Sequence, residues 1–98
     1  MRTAPEYRLH ALDTVPPKPG LRRVLHGGES IDGEVWTLPA SGFGAFVAGL
    51  PQPMAIGRVT LEDGSSVAGF HAEHVAVDEA TDITRFGGWR RYLELQAQ

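Results

Sequence analysis

A chain of 98 residues has room for one hydrophobic core and not for two, and the core it can bury is modest. Its 42% hydrophobic and 21% charged residues place it among folded globular chains, a net charge of -3 disfavours nucleic acid phosphates and anionic lipid, and the absence of cysteine removes disulfides, thiol nucleophiles and thiolate metal sites. Neither a signal-type apolar run after Met1 nor the roughly 18 apolar residues of a membrane span is present, so the sequence reads as one domain, residues 1–98, in the cytoplasm, with no nucleic acid and no membrane as partner.

Tyr7, Leu9 and Ala11 alternate with Arg8, His10 and Leu12, the pattern of a strand with one better buried face. Val15-Pro16-Pro17-Lys18-Pro19-Gly20 reads as a stiff loop, because its prolines withhold backbone donors and restrict the residues before them. Leu21 to Leu25 predicts a returning strand, and His26-Gly27-Gly28-Glu29 a tight turn. In Ile31 to Leu38, Ile31 and Val35 point one way and Trp36 and Leu38 the other, which predicts a central strand apolar on both faces.

Phe43, Phe46, Val47 and Leu50 fall at i, i+3, i+4 and i+7, one stripe of a helix that Pro39 can begin and Pro51 must end. Ile56 to Leu61 and Ser66 to Glu73 flank Glu62-Asp63-Gly64-Ser65, the signature of a β-hairpin. Gly57 and Gly69 inside those strands mark a bulge or the close approach of another backbone, and Val75 to Val77 reads as a short edge strand. Asp82 can cap a turn, and Trp89, Tyr92 and Leu93 form the apolar face of a last helix after Gly87-Gly88. Trp36, Phe43, Phe46, Phe70 and Trp89 are read as core.

Read in order, several segments resemble the C-terminal domain of allophanate hydrolases: Thr3-Ala4-Pro5-Glu6-Tyr7-Arg8-Leu9, Pro16-Pro17-Lys18-Pro19-Gly20-Leu21, Glu34-Val35-Trp36-Thr37-Leu38-Pro39, Phe43-Gly44-Ala45-Phe46-Val47, Ile56-Gly57-Arg58-Val59, and Asp82 to Arg90. The resemblance implies an α+β fold similar to the gamma-glutamyl cyclotransferase group: a small mixed, mainly antiparallel sheet or partial barrel with two flanking helices. It also implies a place in urea degradation beside an amidase, as an assembly module, as a small enzyme converting N-carboxycarbamate to carbon dioxide and ammonia, or as a fragment of a larger enzyme with no independent activity. Nothing in the chain matches the amidase Ser-Ser-Lys site, and the family's upstream strand, with its Gly-x-His segment, has no counterpart before Thr3. Leu50-Pro51 stands where a cyclotransferase keeps its acid/base glutamate.

Among candidate chemical groups, Glu34 is expected to be half-buried beside Trp36 and Leu38, where desolvation would raise its pKa toward the range of a general acid/base. Glu73 and His71 lie at i and i+2, on one face of a strand, with His74 on the other, a spacing without metal-site geometry. Glu34 and Glu73 are therefore the catalytic candidates. Tyr7, Gly57 and Arg58 are the ligand-binding candidates, the guanidinium suiting a small carboxylate. No cofactor and no metal is implied. The expected partners are an amidase domain or subunit, or a second copy of the chain.

Overall fold

The computed structural model describes residues 1–97. Strand β1 (Tyr7–Leu12) lies at the centre of a three-stranded antiparallel sheet between β2 (Lys18–Arg23) and the short β5 (Thr81–Asp82). Register runs from Tyr7 opposite Arg23 to Leu12 opposite Lys18, and on the other side His10 faces Asp82. The proline-rich segment is shorter as a loop than its composition suggests, since Pro19 and Gly20 already belong to β2. Pro19 is accommodated because β2 is an edge strand, where a missing backbone donor costs no ladder bond on the outer side.

The hairpin forms as expected: β3 (Met54–Thr60) and β4 (Ser66–Ala72) pair antiparallel, with Gly57 opposite Gly69. Its turn is closed locally. Asp63 Oδ1 accepts the Ser65 N–H at 2.9 Å, and Gly64 takes φ 89°, a conformation that only glycine adopts without strain. The two sheets are tied where the chain enters β1 and leaves β3: the Ala4 N–H donates to the Thr60 carbonyl at 2.9 Å and Thr3 bridges Leu61. Between them sits the core: Tyr7, Leu9, Ile31, Val59 and Ile83, with Trp89 and Tyr92 packed against it.

Helix α1 (Ala40–Ala48) precedes β3; α2 (His74–Val77) follows β4; a 3-10 turn (Thr84–Phe86) and α3 (Trp89–Gln96) end the chain. Three expectations are corrected here. Residues 75–77 are not an edge strand but a helical turn, because the Glu73 carbonyl accepts the N–H groups of Ala76 and Val77 and draws Val77 into the interior. The central strand over 31–38 is not formed: Ile31 is buried and hydrogen-bonded to Thr3, Asp32 bonds to the Gly87 carbonyl and Gly33 to that of Met1, but from Glu34 to Pro39 the described residues make no β pairing. Alternation without a neighbouring strand leaves backbone groups to water. Helix α1 begins just after Pro39 as expected, but ends at Ala48 with Gly49 as its C-cap, so Leu50 falls outside it, and the helix buries none of its residues.

Candidate functional site

The expected site residues divide into two groups. Tyr7 is fully buried, and its hydroxyl accepts the Thr60 N–H at 2.8 Å, so it is a strut between the sheets. Its ring meets that of His71 edge-on, with centroids 6.4 Å apart. His71 Nε2 lies 2.9 Å from the Arg58 carbonyl, and the imidazole lies across Gly57, where an added Cβ would come within 3.1 Å of His71 Cδ2. Gly57 and Gly69 thus make room for side chains, His71 and Val59, rather than for another backbone. Arg58 itself is exposed.

Glu34 belongs elsewhere. It is exposed rather than half-buried, pairs with Arg90 and accepts the Trp36 indole N–H at 3.2 Å. Glu73 caps the start of α2 with its backbone. Two shallow depressions share Leu12, Asp13 and Glu79, and none of the five candidate residues lines them. His74 pairs with Asp78 at 3.2 Å, away from the His71 contact.

Sequence reasoning passed over a buried polar joint. His10 is 5% exposed, with Nε2 3.7 Å from Asp82 Oδ2. Arg8 grips the same carboxylate oxygen through Nε and Nη2, both at 2.9 Å, while Asp82 Oδ1 accepts the Thr84 N–H. Thr84 Oγ1 accepts the Leu9 N–H at 2.8 Å, so a side chain supplies a partner to the central strand. Burial lowers the His10 pKa below its ordinary value, and the positive charges of Arg22 and Arg8 add to this against the pull of Asp82. For Asp82, burial opposes ionisation, but hydrogen bonds from Thr84 and the Arg8 guanidinium prevail and lower its pKa. His10 is held neutral behind an ion pair, joining β1 to β5. The signal available in the sequence was a histidine midway along a strand whose both faces are covered.

The second feature is a surface. From Val35 to Gly57 no side chain carries a charge or can acquire one. Within that run Trp36 is 77% exposed, Phe46 51% and Phe43 39%, and Phe46 stacks at 5.4 Å on Phe70, itself 40% exposed. The expectation that Trp36, Phe43, Phe46 and Phe70 are core is therefore corrected; Trp89 alone of the five packs on the core cluster. A helix apolar on every side is ordinarily buried, and among the described residues α1 has no covering layer. Periodicity established which residues share a face, not that a surface would meet it.

Residues 1–94 match the family model of the allophanate hydrolase C-terminal domain. The chain belongs to that family. It is 38% identical over 102 residues to the urea amidolyase of Lachancea kluyveri, a match that covers 99% of this chain and 6% of that protein. It superposes on the allophanate hydrolase of Kluyveromyces lactis with a TM-score of 0.90 at 43% identity, over 99% of this chain and 16% of that one. A crystal structure of a protein specific to uropathogenic E. coli matches with a TM-score of 0.85 at 39% identity, over 95% of this chain and 72% of the other. The allophanate hydrolase C-terminal fold, α+β with antiparallel sheets, thus occurs both as a small part of long enzymes and as most of a short protein. The chain spans only about 6% of the curated relative's length. No helix of the described residues is long and apolar enough to cross a membrane.

Proposed function

We propose that this domain is an accessory and assembly module of allophanate breakdown, working in the cytoplasm in the company of an amidase and contributing a protein contact rather than a self-contained active centre. The uncharged, exposed face of α1 is the observation that supports this reading. Exposed apolar area of this extent, depleted of charge, has the composition of the centre of a protein interface rather than of ordinary surface. The relatives fit the same role, since their long chains hold this domain beside much more polypeptide.

The test compares an allophanate hydrolase amidase unit alone with the same unit joined to this chain, following particle mass and ammonia release from allophanate. The expected result is a larger assembly for the joined protein and no ammonia from the chain alone. Ammonia release by the chain alone, as from a small enzyme acting through Glu34 or Glu73, would overturn the proposal, and so would an unchanged number of subunits per particle.

A further inference from the structure

We infer that the segment from Glu34 to Leu38 is a docking edge for an extended strand of the amidase polypeptide, laid antiparallel to it in continuation of the ladder that Met1 to Thr3 begin. This rests on the assembly reading above and names the contact through which the assembly forms.

The ladder supplies the geometry. Thr3 donates its N–H to the Ile31 carbonyl at 3.0 Å, Arg2 stands opposite Asp32, and Met1 and Gly33 exchange two bonds of 3.0 Å, nitrogen to carbonyl in both directions. Residues 1 to 3 and 31 to 33 therefore run antiparallel in one register, with Met1 and Gly33 as a hydrogen-bonded pair. In such a ladder every second residue turns its N–H and carbonyl to the same neighbour. The residues that follow Gly33 on that side are Val35 and Thr37. Among the described residues neither has a backbone partner, and the stretch from Glu34 to Leu38 lies outside any strand or helix. A strand lying along the line of Met1 to Thr3 and extending past Met1 meets both of them.

The side chains supply the chemistry. Val35, Trp36 and Thr37 are β-branched or aromatic, the residue types that suit a pleated, half-buried surface rather than an open loop. Open edges are ordinarily protected by charge, proline or a bulge. Here Pro39 only ends the segment, and its single charge, on Glu34, is already paired with Arg90. Val35 is 54% exposed and Trp36 77%, so a strand added here removes apolar area from water while it gains main-chain hydrogen bonds. With no ionisable side chain from Val35 to Gly57, the edge suits an uncharged, apolar segment. Relatives keep this domain in chains of which it forms 6% or 16%, so in them the polypeptide that can supply such a segment is at hand.

The alternation provides the test. Nuclear magnetic resonance of the labelled chain, alone and mixed with a separate allophanate hydrolase amidase unit at about 100 µM, reads amide exchange residue by residue. Strand addition is expected to slow exchange at Val35 and Thr37 by about a hundredfold and to leave Trp36 within about threefold of its free rate. A contact through side chains alone gives no such alternation. Thr37→Pro deletes one of the two N–H donors in a segment that pairs with no other described strand, and it is expected to bind the amidase unit about tenfold more weakly than Thr37→Val, which keeps the donor. A complex that protects Val35 and Thr37 no more than Trp36, or in which Thr37→Pro binds as tightly as Thr37→Val, overturns the inference and leaves the assembly reading standing. Absence of any complex overturns both.

Discussion

Replacing Tyr7 by Phe removes one oxygen atom from the centre of the molecule and leaves the ring that fills it. The hydroxyl accepts the Thr60 N–H at 2.8 Å from a side chain with no solvent exposure, and Thr60 ends β3 while Tyr7 begins β1, so this bond crosses from one sheet to the other. Loss of a neutral hydrogen bond costs about 1 kcal/mol, and a partly buried N–H left without an acceptor raises the cost to about 2 kcal/mol. Volume is almost unchanged, so no cavity contribution is added. At 4–8 °C per kcal/mol for a domain of this size, Tm falls by roughly 10 °C. Urea unfolding followed by far-UV circular dichroism should show a lower midpoint with an unchanged slope, since the surface exposed on unfolding stays the same. A loss below about 0.5 kcal/mol at constant slope would refute the argument, because it would mean that water reaches the Thr60 N–H and that the sheets are held without this bond.

Four further outcomes follow from the same structure. Gly28→Ala places a Cβ 2.6 Å from the Glu6 carbonyl carbon, a backbone atom held by the Val24 N–H on its oxygen, so a loss of about 2 kcal/mol or more is expected in chemical denaturation. Gly27→Asn, at φ 73° in open space, should by contrast cost less than about 1 kcal/mol, which the same titration checks. Thr84→Val keeps the shape and the backbone N–H that bonds Asp82, but leaves the Leu9 N–H without its acceptor; a loss of about 1–2 kcal/mol is expected, together with faster amide exchange at Leu9. The His10 pKa is lowered in the folded chain, so below the ordinary value of 6.5 the unfolded chain binds a proton that the folded chain does not, and stability falls as pH drops from 6.5 toward the folded value. Asp82, also lowered, loses its contribution separately, as pH falls below 3.8. Denaturation midpoints between pH 8 and pH 5 should therefore decline in the wild type and flatten in His10→Gln; a midpoint that rises on acidification would contradict the burial of His10.

What the sequence revealed and what it hid follow one physical division. The Asp63-Gly64 hairpin was legible because its determinants are local: a carboxylate that bonds two residues on and a glycine at positive φ operate wherever the chain goes. The start of α1 was legible for the same reason, since Pro39 acts on its immediate neighbours, whereas its end falls at Gly49, before Leu50 and Pro51. Burial is a property of two surfaces, and only one of them is written in any segment. Ile31 to Leu38 carries the alternation of a strand, but a strand exists only beside another, and the backbone groups of Asp32 and Gly33 went to Gly87 and Met1 instead. Glu34, given a half-buried environment by that strand, lost it with the strand and became a surface partner of Arg90. His10 erred the other way: it alternates with core residues and so reads as solvent-facing, whereas Arg8, Asp82 and Thr84, two of them more than seventy residues away, close over it. The apolar residues of α1 were read as core, as periodicity alone suggests, and the structure leaves them exposed. They have no cover among the described residues, and that mismatch between an apolar sequence and an uncovered surface is the observation behind the proposed assembly role.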